Sequence, residues 1–128
     1  MSKYAILPIL WAILIAVLCG IPGRDIPHIS FLEIISFDKF VHAGIFFVLI
    51  VLSLRNFSKN NTLKSTTKYY LLAFGIGYGI LLEILQGAIF IERSADIYDV
   101  IANSFGCVLA TFSFNKLKQI KLLKPFLS

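Results

Sequence analysis

The sequence predicts an all-α membrane protein: four transmembrane helices in a compact bundle, with a short interfacial segment between the first and second. Three observations lead there. The 128 residues are 58% hydrophobic and only 15% charged, with a mean hydropathy of +0.84, whereas soluble domains carry roughly 45–50% apolar and about 25% charged residues. The apolar residues fall into four runs. The basic residues collect in alternate connecting stretches, which is the signature of a chain threaded back and forth through a bilayer. Residues 1–128 are read as one transmembrane domain.

The first run covers about Tyr4 to Ile21 and stops at Pro22-Gly23. Lys3 followed by an apolar core also resembles a signal peptide. Bulky Leu18 stands just before Cys19 and no small-x-small cleavage site follows, so an uncleaved first helix is the better reading. The second run begins near Asp38 and reaches Leu54; the third covers about Tyr69 to Ile91; the fourth starts near Asp99 and fades around Asn115. A span needs roughly 20 mainly apolar residues, so runs two and four must place their polar starts at the interface. Between runs one and two, Ile21 to Phe37 mixes Pro22, Gly23, Arg24 and Pro27 with an apolar stretch, and reads as an interfacial connector or a cap over a cavity. Cys19 and Cys107 lie in apolar runs and read as small buried hydrophobes rather than a disulfide.

The charges orient the chain. Lys3, Arg55, Lys59, Lys64, Lys68, Lys116, Lys118, Lys121 and Lys124 fall on one side with no acid among them. Arg24, Lys39 and Arg93 fall on the other, with all seven acids. The side richer in Lys and Arg is cytoplasmic, which puts both termini and the middle loop there. The net charge of +5 is thus a topology signal. Nucleic acid is not an expected partner, because no basic, aromatic-interleaved surface exists outside these short loops.

Polar residues inside the spans are the candidates for function, since an ionisable group near the bilayer centre costs on the order of 3 kcal/mol. Helix two enters from outside, so Asp38, Lys39 and His42 occupy its first turns, and Asp38 and His42 share a face. Helix three travels outward, which sets Glu83 about 12 Å below its outer end with Gln86 higher; Asn103 lies about 6 Å deeper than Asp99. Gly75, Gly79, Glu83 and Gly87 form one i, i+4 row, and glycines at that spacing mark a close helix contact. Asp99, Asn103, Gly106 and Ala110 form a matching stripe on helix four. Together they outline a polar pocket open to the outside.

Each residue also has a structural reading. Glu83 can bridge Lys39 or Arg93, Asp96 and Asp99 can cap a helix, and Asn103 can hydrogen-bond between helices. His42 can bond Asp38 or Glu83, and Lys39 can snorkel. Arg93 is the best anion-binding candidate, because a planar guanidinium suits phosphate or carboxylate. One histidine with several carboxylates is a thin basis for a metal site, and none is expected. Gly75-Ile-Gly77-Tyr-Gly79 sits within a helix rather than in a phosphate-cradling loop, and no cofactor is expected. A proton pathway is disfavoured, since the inner half offers only Tyr78, Thr111 and Ser113.

Asp38-Lys39-x-x-His42, opening the second helix, resembles the first motif of the VanZ-like membrane proteins. Glu83-x-x-Gln86, followed at their spacing by Arg93, Asp99, Asn103 and Gly106, resembles the second. The resemblance covers about Asp38 to Ala110 and departs at Glu92-Arg93-Ser94, where the motif is associated with a Pro-Gly turn. It implies a helical fold in a bacterial cytoplasmic membrane and a link to the cell envelope or to glycopeptide-antibiotic resistance, from which the family takes its name. It brings no reaction with it.

The expected function is therefore recognition of an anionic amphiphile in an outward-facing pocket: a membrane lipid, a lipid-linked envelope precursor or a glycopeptide. Lys39, Gln86, Arg93, Asp99 and Asn103 would bind it, and His42 with Glu83 would be the acid–base pair of any chemistry. Asp38, Asp96, Gly79 and Gly106 would be structural. The alternative is a non-enzymatic structural or partner subunit of a membrane complex.

Overall fold

In a computed structural model of the chain, described over residues 3–19, 31–88, 97–121 and 123–127 (backbone alone at 19, 31–38, 86 and 87), all regular structure is helical. A 3-10 turn, Lys3–Ala5, leads into α1, Ile6–Cys19; α2 is Phe31–Lys59, α3 Ser65–Ala88, α4 Ile97–Gln119 and α5 Lys124–Leu127. Pro8 sits in the first turn of α1, where its missing N–H removes no intrahelical bond.

Three stretches are long and apolar enough to cross a membrane: Lys39–Lys59, Ser65–Leu85 and Ile97–Gln119. At 14 residues, α1 is about 21 Å long, less than the roughly 30 Å hydrocarbon core. The helices outrun several of the sequence expectations. The last residues of the expected interfacial segment, from Phe31 on, are the opening turns of α2 rather than a separate element, and α2 continues past Leu54 to Lys59. Helix α3 starts at Ser65, four residues before the expected Tyr69, and α4 continues past Asn115 to Gln119. Hydropathy marks where a helix leaves hydrocarbon, whereas backbone hydrogen bonding carries the helix on into the polar zone.

The α2–α3 connection is short because α2 ends in a tight cap. Asn61 takes φ 58°, a left-handed conformation that asparagine tolerates better than most residues. The Asn61 N–H bonds the Ser58 carbonyl at 3.1 Å and the Thr62 N–H bonds the Phe57 carbonyl at 2.9 Å. This is the paired hydrogen-bond pattern of a Schellman motif.

The core lies on α2 and α4. Phe46, Leu49, Ile50 and Leu54 pack against Cys107, Ala110 and Phe114, all 0–1% exposed, with Ile15 added from α1 and Leu82 from α3. Cys107 is a free, buried thiol, in keeping with its reading as a small hydrophobe. Helix α1 is tied on by two hydrogen bonds to backbone: Trp11 Nε1 donates to the Ile45 carbonyl at 2.8 Å, and the Tyr78 hydroxyl donates to the Ala12 carbonyl at 2.6 Å. Its other face, including Leu10, Ile13 and Val17, is exposed and suits contact with lipid.

Helix spacing is set by small residues, the usual device where lipid removes the hydrophobic drive between helices. A Cβ on Gly106 would overlap the Ala43 carbonyl and lie 3.1 Å from Ala43 Cα. A Cβ on Gly75 would come 2.7 Å from both Cys107 Sγ and Ile50 Cδ1, and one on Gly79 would come 3.0 Å from Asn103 Nδ2. As the chain advances along α3 from Gly75 to Gly79, its partners on α4 retreat from Cys107 to Asn103, so α3 is antiparallel to α4. By the same test α2 and α4 are parallel, because Lys39, His42 and Ala43 meet Asp99, Asn103 and Gly106 in order.

The opposite end of the bundle is basic and is closed by α5. Leu127 is buried beside α2 at 1% exposure. The Arg55 Nε donates to the Phe126 carbonyl at 2.6 Å and Lys59 Nζ to the Pro125 carbonyl at 2.7 Å. The Arg55 guanidinium also lies 4.1 Å from the Phe126 ring centre and 5.2 Å from that of Tyr4, distances suited to cation–π attraction.

Candidate functional site

At the other end, the first turns of the Lys39–Lys59 span and of α4 lie side by side, because Gly106 lets the two backbones touch one turn below. That closeness brings charged and polar side chains of α2 onto those of α4. Lys39 Nζ donates to Asp99 Oδ1 in an ion pair. His42 Nδ1 is 3.0 Å from Asn103 Oδ1, and His42 Nε2 is 3.7 Å from Asp99 Oδ2. Asp99 thus stands between an ammonium and an imidazole, and Asn103 holds the far side of the same ring.

The α3 row completes the site from the third side. Gly79 passes against Asn103 and Phe46, so its missing side chain is what leaves room for the asparagine. One turn further along α3, the antiparallel register brings Glu83 level with Asp99. Glu83 is 4% exposed, comparable to His42 at 6%, Asp99 at 6% and Asn103 at 2%. Four polar or ionisable residues from three helices are therefore buried at one level of the bundle. The Lys39 side chain, 23% exposed, is the member of the group that reaches the surface.

Burial on this scale is tolerable because buried polar atoms have partners. Among the described residues, no buried side-chain nitrogen or oxygen lacks a hydrogen-bond partner. With Asn103 Oδ1 accepting, Nδ1 of His42 carries the proton, and Nε2 is left facing the Asp99 carboxylate. A proton on Nε2 would convert that approach into a second charge pair on Asp99. The arrangement can hold a proton between His42 and Asp99 and can offer an ammonium to an anion. Among the described residues, no group of three or more His, Cys, Asp or Glu side chains is gathered to hold a metal.

The structure therefore brings together Lys39, His42, Asp99, Asn103, Gly79 and Gly106, with Glu83 at their level. Asp99, third residue of α4, directs its carboxylate at Lys39 and His42, a stronger engagement than the capping role open to it in sequence. Arg93 and Asp96 lie outside the described residues, as do the side chains of Asp38 and Gln86. The expected open pocket is, over its described part, a packed cluster; the rest of its expected rim falls in residues 89–96, outside the description. Sequence reasoning missed Ala43, whose carbonyl receives Gly106. Its signal was available as a small residue next to His42 on a helix facing a glycine.

These features define a helical membrane protein with a buried polar cluster at one end of its bundle. A family model described as VanZ/LLP1 matches residues 6–119, nearly the whole chain, and the protein belongs to that family. Comparison with curated proteins and with solved structures gave no match.

Proposed function

We propose that this VanZ-family protein recognises the anionic head of an amphiphile at the outer face of a bacterial cytoplasmic membrane, with both termini in the cytoplasm. The ligand class is a membrane lipid, a lipid-linked cell-envelope precursor or a glycopeptide, which would link the protein to envelope maintenance or glycopeptide resistance. The observation that supports this reading is the Lys39–Asp99 pair, set among His42, Asn103 and Glu83 with only Lys39 reaching the surface. Lys39 is the group that changes partner. Its ammonium turns from Asp99 to the phosphate or carboxylate of the ligand, and the released carboxylate faces His42. Arg93, Gln86 and Asn103 are the further residues assigned to ligand binding, Arg93 because a planar guanidinium suits phosphate or carboxylate. If a bond is broken there, His42 and Glu83 are the residues we assign to the proton transfer. The orientation rests on the nine basic residues gathered opposite the cluster.

Native mass spectrometry of the protein extracted with its lipids tests the reading. The expected result is that Lys39→Gln and Arg93→Gln each retain one anionic amphiphile fewer than wild type while still folding as helical monomer by circular dichroism. Retention unchanged in both variants would overturn it. Reporter fusions at Ser128 test the orientation, and a reporter active only outside the cell would reverse it.

A second reading, a structural or partner subunit of a membrane complex, draws on the satisfaction of the buried polar atoms among the described residues. It predicts that Glu83→Gln lowers stability or complex yield while no bound amphiphile is recovered from the wild type.

A further inference from the structure

The basic end of the bundle carries a second polar site, remote from the Lys39–Asp99 cluster. The tight cap at Asn61 folds the α2–α3 connection back beside the end of α4, and a cleft of about 420 Å³ opens between them. Lys64 and Lys68 line it from the start of α3, Lys118 from the end of α4, and Asn61, Ser65 and Asn115 supply amides and a hydroxyl. Among the described residues no acid lines it. Three ammonium groups around one cleft make it attractive to an anion.

The cleft has a continuation. Ser65, Lys68 and Asn115 also line a second cavity, about 190 Å³, which continues along the α3–α4 groove past Tyr69 and Phe112. Those two rings are 59% and 65% exposed and belong to the membrane-spanning stretches of α3 and α4. Lys118 is held in place, its Nζ 5.5 Å from the centre of the buried Phe114 ring. A basic, amide-lined cleft continuous with an aromatic groove on the hydrocarbon side has the shape of a phospholipid: anionic head in the cleft, glycerol beside Asn115 and Ser65, acyl chain along Tyr69 and Phe112.

We infer that this cleft is a binding site for one anionic phospholipid, held by Lys64, Lys68 and Lys118 through its phosphate and by Tyr69 and Phe112 through its chain. The inference stands apart from the proposal for the other end, because it uses none of the same residues and holds for either orientation of the chain. A lipid is favoured over a soluble phosphate because the polar cleft alone would serve the latter, whereas the groove behind it has use only for a chain. Bilayer-surface attraction alone would act on every lysine of this end alike.

That difference supplies the test. The protein is delipidated, titrated with phosphatidylglycerol or phosphatidylcholine in detergent and examined by native mass spectrometry. Wild type is expected to retain one phosphatidylglycerol about ten-fold more tightly than phosphatidylcholine. Lys68→Gln/Lys118→Gln is expected to lose that preference. The charge-matched control Lys116→Gln/Lys121→Gln, made at exposed lysines that do not line the cleft, is expected to keep it. Phe112→Ala, which leaves every charge in place, is expected to weaken retention about three-fold. Equal loss in the two double variants would overturn the proposal in favour of general surface attraction. Displacement of the lipid by millimolar glycerol phosphate would overturn it in favour of a soluble anion. Variants at Lys39 or Arg93 leave this retention unchanged, so either proposal can fail without the other.

Discussion

Lys39 and Asp99, sixty residues apart in the chain, form an ion pair between parallel helices at the level of His42 and Asn103. The pair is sheltered but not sealed. Removing one partner of a fully buried pair costs about 3–5 kcal/mol, and the partial exposure of Lys39 places this one near the lower bound.

Lys39→Met and Asp99→Leu should therefore each destabilise the protein by about 3 kcal/mol, while the double variant should lose clearly less than the sum. Thermal unfolding in detergent across the four proteins of the cycle measures this. Strict additivity would mean that the two charges do not depend on each other.

Asn103→Leu should remove the partner of His42 Nδ1 and cost about 1–3 kcal/mol, the usual range for depriving a buried polar group of its hydrogen bond. Nitrogen-15 NMR of the imidazole offers an independent reading. The wild-type ring, when neutral, should carry its proton on Nδ1, and the variant should lose that preference. A neutral ring protonated on Nε2 in the wild type would contradict the arrangement described.

Two glycines on different faces should respond oppositely to the same change. Gly106→Ala sets a methyl group into the Ala43 backbone, which cannot rotate away, and should cost at least about 2 kcal/mol. Gly77→Ala meets nothing within 4 Å and should be neutral or stabilising by up to about 1 kcal/mol, through the higher helix propensity of alanine. Comparable melting temperatures for the two variants would refute the close α2–α4 contact.

Deleting residues 124–128 should lower stability by about 2 kcal/mol, because it removes buried Leu127 and the carbonyls that receive Arg55 and Lys59. Leu127→Ser should reproduce most of the loss. Arg55→Gln should reproduce a smaller part, since cation–carbonyl contacts at an exposed surface are worth less than burial.

Much of this architecture was legible in the sequence for simple reasons. Apolar runs between lysine-bearing stretches mark membrane helices whatever their packing partners. The row Gly75, Gly79, Glu83 gave the buried face of α3, because small residues four apart lie on one side of a helix. The same spacing logic gathered Lys39, His42, Asp99 and Asn103 toward one end of the bundle. It could not choose partners: Lys39 meets Asp99 through the relative rotation of α2 and α4, which the Gly106–Ala43 contact fixes. The α5 strap was equally hidden. Its lysine-flanked Pro125-Phe126-Leu127 has too few residues for a periodic signal, and its anchors are backbone carbonyls, which every sequence supplies equally.

The contact between Gly106 and Ala43 has one more consequence. Two backbones that touch directly leave no side chain between them to be exchanged, enlarged or re-angled. The distance between α2 and α4 is therefore insensitive to what stands above it at Lys39, His42, Asp99 and Asn103. Substitutions in that cluster can change its chemistry without moving the helices that carry it, so the scaffold and the site can be altered one at a time.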